Sequence, residues 1–97
     1  MKGLIMRIMA LDIGETRVGV AVSDPGERVA SPVAVLPASE VLNCAKPFQR
    51  ALEDWEPELL LCGLPYTMAG AEGPQAARIR KAAKTISDAC GIPYEFA

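Results

Sequence analysis

The first third of the chain has the apolar spacing of β-strands. Residues 5–13 form an apolar stretch, and residues 17–23 place three valines on one face of a strand. The three residues between them fit a hairpin turn, for which Gly14 can supply a positive φ. A third strand is predicted over residues 29–36, and Pro32 restricts it to the edge of a sheet.

The apolar spacing then changes to that of a helix. Ser39 is placed to cap this helix, and Pro57 ends it. Pro47 should kink the helix or delay its true start. Trp55 belongs to the apolar stripe and is therefore expected in the core rather than stacked on a nucleobase. The stripe consists of Val41, Ala45, Phe48, Leu52 and Trp55.

The second half of the chain alternates strand and helix. Residues 58–63 contain an apolar run typical of a strand that is buried on both faces. A loop is expected over residues 64–73, before a helix that begins at Pro74 and stops at Gly91. Residues 92–96 start a last strand. The buried stripe of this second helix is predicted to be Ile79, Ala83, Ile86 and Cys90.

The order of elements is therefore β-β-β-α-β-α-β. It predicts an α/β fold with a mixed five-stranded sheet and helices available to both faces. The strands that contain Asp12 and Leu60 should be parallel neighbours at its centre, because both segments are strongly apolar. The 97 residues are expected to form one domain, with residues 1–5 as an N-terminal extension.

Composition narrows the class of protein. The chain is 51% hydrophobic and 23% charged, as in globular proteins, and no apolar stretch is long enough for a membrane span. It has no histidine and an odd number of cysteines, which excludes a Cys/His zinc site. We therefore expect a cytoplasmic location and three reduced thiols, at Cys44, Cys62 and Cys90.

Charge gives little support to nucleic-acid binding. The net charge is −2, whereas phosphate contacts normally come with a basic face. Four basic residues do gather near the second helix, although a solvated helix face explains them equally well. They are Arg78, Arg80, Lys81 and Lys84.

Asp12 follows an apolar run in a predicted central strand, where an ionised carboxylate is costly unless it is compensated. A cation, a basic partner or exposure at the end of the strand would each compensate it. A turn aspartate that bonds the hairpin backbone is an equally good explanation on spacing alone.

Three segments together resemble the YqgF family of Holliday-junction-resolvase-like nucleases. Residues 12–24, DIGETRVGVAVSD, resemble the family's first motif. Residues 63–76, GLPYTMAGAEGPQA, look like its Gly-Leu-Pro loop, and residues 91–93, GIP, match the turn before its next strand. The resemblance implies a ribonuclease-H-like fold. It also implies a cytoplasmic nuclease that processes the 5′ end of pre-16S ribosomal RNA in ribosome biogenesis.

The resemblance further implies paired Mg²⁺ ions, with Mn²⁺ as an alternative, held by carboxylates. Asp12 matches the family's first metal-binding, catalytic acid. The second acid of the family lies in an Asp-Glu-Arg motif just after the strand that follows Gly-Ile-Pro, and residue 97 precedes it. We therefore expect the C-terminal part of the family domain, and a complete active site, to be absent. Glu95 falls within the strand and does not replace the missing acid.

Contacts to structured RNA, or to branched DNA, are expected from four residues. Arg17 matches a basic position of the first motif, although an ordinary salt bridge is as good an explanation. Thr67, Gly70 and Gln75 precede a helix N-terminus that could bind phosphate, for which a plain helix cap is the alternative. Tyr66 could stack on a base.

Two other functions remain open. The opening motif also occurs in ATP-binding domains of the actin and sugar-kinase class, although a kinase needs a second lobe for which these residues have no room. A catalytically silent binding domain is the other alternative.

Overall fold

The computed structural model describes residues 7–23, 31–64 and 73–97. Its strands are β1 (Ile8–Ile13), β2 (Arg17–Ser23), β3 (Ser31–Pro37), β4 (Leu59–Cys62) and β5 (Tyr94–Phe96). Its helices are α1 (Ala38–Leu42), α2 (Lys46–Trp55) and α3 (Pro74–Cys90). None of the helices in these ranges is long and apolar enough to cross a membrane.

The five strands form one mixed sheet in the order β3-β2-β1-β4-β5. β1 pairs antiparallel with β2 and parallel with β4, and Met9 lies opposite Leu60. This confirms that the strands of Asp12 and Leu60 are parallel neighbours inside the sheet. β3 is an edge strand, as Pro32 predicted, because a ladder position without an N–H is tolerated there.

A single core lies on one face of the sheet. Every second residue of β1, β2 and β4 is buried on that face, where the helices cover it. The strands contribute Met9, Leu11, Ile13, Val18, Val20, Val22, Leu60 and Cys62 to this core. The helices contribute Ala38, Val41, Phe48, Ile79, Ala83 and Ile86.

The prediction of helices on both faces is wrong for the residues that the structure describes. Both crossovers, from β3 to β4 and from β4 to β5, join parallel strands and move across the sheet in the same direction. Because such crossovers are right-handed, both place their helices on the same face. No described helix covers the opposite face, so Val35 is 66% exposed. β4 is correspondingly buried on one face only, since Leu61 points away from the helices.

The predicted first helix is two helices. α1 ends at Leu42, and α2 starts at Lys46 with Pro47 as its second residue, which confirms that Pro47 delays the start. Ser39 does not cap α1, because the cap position is taken by Pro37. Trp55 is also not a core residue. It is 39% exposed, although Phe48 of the same stripe is fully buried, and it is the last residue of α2, next to the left-handed Glu56 that ends the helix.

The second predicted helix agrees closely with α3. Pro74 is its first residue, and three of the four predicted stripe residues are fully buried, while Cys90 is half-buried. Gly91 ends the helix in the left-handed region, with φ of 77°, and its N–H donates to the Ser87 carbonyl. A residue with a side chain would be strained there, so this stop is encoded locally.

Candidate functional site

Three elements meet at one end of the sheet. β1 and β4 are parallel, so their carboxyl ends lie side by side, and α3 begins there after the connection from β4. In the sheet, β2 and β3 lie on one side of β1, and β4 and β5 lie on its other side. Ligands of open α/β sheets bind at such switch points, outside the carboxyl ends of the strands.

Asp12 is at this end and points away from the core. Its neighbours Leu11 and Ile13 are buried beneath the helices, so the alternation of the strand turns Asp12 to the open face, where it is exposed. Among the described residues, none forms an ion pair or hydrogen bond with its carboxylate. Of the alternatives for Asp12, exposure at the end of a strand is therefore the observed one, and no bond to the hairpin backbone is found.

Gly19 keeps the Asp12 carboxylate accessible. The two residues lie opposite each other in the β1–β2 ladder, and a Cβ on Gly19 would lie 3.6 Å from the Asp12 Cβ. Glycine contributes no side chain at this position, so the carboxylate is not covered from β2. The sequence pattern alone gives no signal for this role of Gly19.

A shallow apolar groove of about 430 Å³ continues from Asp12 along the open face of the sheet. Asp12 contributes an ionisable side chain to the wall of this groove, and most of the other residues in the wall have small or aliphatic side chains. This wall includes Ala10, Gly19, Ala21, Val35, Leu61 and Gly63.

The turn after Asp12 is tight, and Gly14 is required there for a different reason than expected. Its N–H donates to the Arg17 carbonyl at 2.9 Å. Gly14 does not have a positive φ, so that prediction is wrong. A Cβ on Gly14 would instead lie 2.7 Å from the Arg17 oxygen, closer than van der Waals contact allows. The close approach of two backbone segments is what excludes larger residues.

Arg78, one of the four clustered basic residues for which nucleic-acid binding and a solvated helix face are the two explanations, contacts the end of β1 from the helix side. Its half-buried guanidinium donates from Nη1 to the Gly14 carbonyl at 3.3 Å and from Nη2 to the Ile13 carbonyl at 3.4 Å. Two other members of that cluster also have structural contacts. Lys84 pairs with Asp88 at 2.9 Å, and the Arg80 guanidinium lies 4.8 Å from the centre of the Phe96 ring.

The structure brings together only part of the predicted nucleic-acid contacts. Arg17 is exposed on the open face, two residues before Gly19, which makes it a diagonal neighbour of Asp12. Gln75 is exposed in the first turn of α3, at the same end of the sheet but in the helical layer. Thr67, Gly70 and Tyr66 lie outside the described residues.

The described residues do not make a complete metal site. No three Asp, Glu or Cys side chains in these ranges come close enough together to hold an ion. Glu95 lies opposite Leu61 in β5, on the face of Asp12 but with β4 between them. Two strand spacings are about 10 Å, too far for both carboxylates to bind one ion. Burial raises the pKa of the Cys62 thiol to about 11, so it stays protonated and is a poor ligand at neutral pH.

Comparison with known proteins gives matches over almost the whole chain. The family model described as "RuvX: Holliday junction resolvase" matches residues 6–97. A Rhodospirillum centenum protein named "Putative pre-16S rRNA nuclease" is 40% identical over 82% of this chain and 43% of its own length. The chain spans between 43% and 64% of the length of several curated relatives with that name.

Two solved structures share the fold. RuvC from Thermus thermophilus has a TM-score of 0.57 at 17% identity, over 95% of this chain and 63% of that protein. The ROK hexokinase from the same organism has a TM-score of 0.53 at 22% identity, over 94% and 34% respectively. Identities this low show a common fold only, which is the ribonuclease-H-like α/β fold expected from the sequence.

Proposed function

The chain belongs to the RuvX family of Holliday junction resolvases, the family that its sequence motifs resemble, and we propose that its full-length protein is a nuclease. The proposed reaction is hydrolysis of phosphodiester bonds in structured nucleic acid in the cytoplasm. The names of relatives at 34% to 40% identity favour a ribosomal RNA precursor, so we propose processing of the 5′ end of pre-16S RNA. Branched DNA is the second candidate substrate, because the family description names it.

The observation that carries this proposal is the placement of Asp12. An exposed carboxylate at the carboxyl end of a central strand, uncovered by Gly19, is positioned to be a ligand for a divalent cation. We propose Mg²⁺ as this cation and Mn²⁺ as the alternative, since both bind carboxylate oxygens. A bound ion would supply positive charge at the reacting phosphate.

Asp12 alone cannot hold such an ion firmly. We propose that the gene product continues beyond Ala97 and supplies the further carboxylates. The length of the curated relatives and the lack of a ligand cluster among the described residues support this. The 97 residues are then a folded part of the nuclease that cleaves nothing alone.

Phosphate contacts are proposed for the same end of the sheet. Arg17 lies on the face of Asp12 and can meet a phosphate of the bound strand. Gln75 lies in the first turn of α3, where Pro74 has no N–H and Ala76 and Ala77 donate to the Gly73 carbonyl. The side chain and N–H of Gln75 are therefore the groups proposed to bind the anion. Thr67 and Gly70 stay proposals from the sequence.

The experiment compares the 97-residue chain with the full-length gene product, using a structured pre-16S RNA and a four-way DNA junction with and without Mg²⁺. We expect cleavage by the longer form only, with RNA preferred. Asp12→Asn should abolish cleavage, because it keeps the side-chain shape and removes the charge. Asp54→Asn, an exposed control on α2, should not.

Two results would contradict the assignment. Cleavage by the short chain at the rate of the long one would show that no further carboxylates are needed. An active Asp12→Asn variant of the long form would remove Asp12 from the site. ATP binding measured by calorimetry would instead favour the actin and sugar-kinase class.

A further inference from the structure

The carbonyl groups just after Asp12 lack a strand partner on the side of β4. The parallel ladder between β1 and β4 ends at the pair Leu11–Cys62, and the Gly63 N–H still reaches the Leu11 carbonyl at 3.4 Å. Carbonyls two residues apart on a strand point to the same side, so the Ile13 carbonyl points toward the position where β4 no longer provides an N–H. A backbone oxygen that loses its ladder accepts from water or from another donor.

Arg78 supplies that donor. Its Nη2 donates to the Ile13 carbonyl at 3.4 Å, and its Nη1 donates to the Gly14 carbonyl at 3.3 Å. Guanidinium presents its N–H groups in a rigid planar fork, which suits two neighbouring acceptors. Arg78 belongs to α3, whose buried face packs on the sheet, so the fork is anchored to the core and not to a loop.

Asp12 therefore lies between two fixed points of the backbone. Leu11, before it, accepts from Gly63 after β4, and the Ile13 carbonyl, after it, accepts from Arg78. Without Arg78 the end of β1 would keep its contacts to β2 but lose those toward α3. The peptide after Asp12 would then be restrained from the β2 side only, by the pair of Asp12 with Gly19 and by the Gly14–Arg17 bond.

We infer that Arg78 is a positioning residue, because it fixes the backbone after Asp12 and thereby orients the Asp12 carboxylate. Arg78 has no direct contact with a metal ion or substrate in this role. The inference rests on the proposed function for its effect on activity. Its effect on the backbone is independent of that function.

The first arm of the test measures the backbone in the 97-residue chain. The Gly14 N–H is the probe, because its bond to the Arg17 carbonyl must open before its hydrogen exchanges. In Arg78→Gln we expect exchange at Gly14 to become about fivefold to tenfold faster, the size expected for loss of long charge-assisted hydrogen bonds. Arg78→Lys should fall between, because an ammonium group lacks the fork.

Lys81→Gln is the matched control for this arm, since it removes one positive charge from an exposed position of the same helix. It should leave exchange at Gly14 unchanged. Equal exchange in Arg78→Gln and Lys81→Gln would overturn the inference.

The second arm measures the Mg²⁺ dependence of cleavage by the full-length protein. We expect Arg78→Gln to need about tenfold more Mg²⁺ for half-maximal rate, with the thermal unfolding midpoint lowered by only about 2–6 °C. A purely structural role predicts a similar fall in the midpoint, while the folded fraction keeps the parent's Mg²⁺ dependence. That pattern would refute positioning.

The two proposals fail in different ways. If the parent protein does not cleave, or if Asp12→Asn still cleaves, the proposed function is wrong, while the exchange result at Gly14 stands by itself. If Asp12→Asn abolishes cleavage but Arg78→Gln has the parent's Mg²⁺ dependence, the proposed function survives and the inference on Arg78 is wrong.

Discussion

Gly14→Ala tests why the turn after Asp12 needs glycine. The added Cβ would lie 2.7 Å from the Arg17 carbonyl oxygen, which is itself held by the Gly14 N–H at 2.9 Å. Because both partners are backbone atoms of one hairpin, relief requires the turn to open and this hydrogen bond to lengthen. Strain of this kind costs about 1–3 kcal/mol, and the weakened bond adds about 1 kcal/mol.

Alanine also lowers the conformational entropy of the unfolded chain, which offsets about 0.4–1 kcal/mol of this loss in stability. The net loss should therefore be about 2 kcal/mol, or about 10 °C in unfolding midpoint for a domain of this size. Urea unfolding followed by circular dichroism measures it. Gly63→Ala is the matched control, because a Cβ there meets nothing within 4 Å and should change stability little.

A third variant separates close approach from backbone conformation. Asparagine is tolerated at positive φ much better than alanine. Since Gly14 has no positive φ, Gly14→Asn should be at least as destabilising as Gly14→Ala. A stable Gly14→Asn protein, or equal stability of the Gly14→Ala and Gly63→Ala variants, would show that the clash with Arg17 does not decide the residue at position 14.

Two further predictions concern the core and the thiols. Phe48 of α2 is fully buried, so Phe48→Ala should lower the free energy of unfolding, measured in urea, by about 3–5 kcal/mol. Trp55→Ala, at a 39% exposed position, should lower it clearly less. Equal losses in the two variants would show that Trp55 is a core residue. Thiol titration under denaturing, non-reducing conditions should count three free groups, and a count of one would contradict this. In the folded chain Cys62 should react last, because burial raises its pKa to about 11 and leaves little thiolate at neutral pH.

The sequence by itself determined most of the local structure. Several features depend only on residues close by in the sequence. They are the alternating valines of β2, the start of α3 at Pro74, its stop at Gly91 and the restriction that Pro32 places on β3. Such signals can be read locally because side-chain alternation, proline geometry and the left-handed preference of glycine do not depend on the distant chain. The motif around Asp12 likewise indicated the family without any coordinates.

Contacts between distant segments were decided by the tertiary structure alone. The helices share one face because both right-handed crossovers run in the same direction, a property of strand order that no single segment encodes. Trp55, the last residue of α2, is 39% exposed, although its spacing from the buried Phe48 predicts a core position. Arg78 is 64 residues from Gly14 in sequence, and the two meet only because α3 starts where β1 ends. Periodicity shows which side of a helix or strand is apolar. The assembled sheet decides what that side contacts, and also what the polar groups at the end of the helix or strand contact.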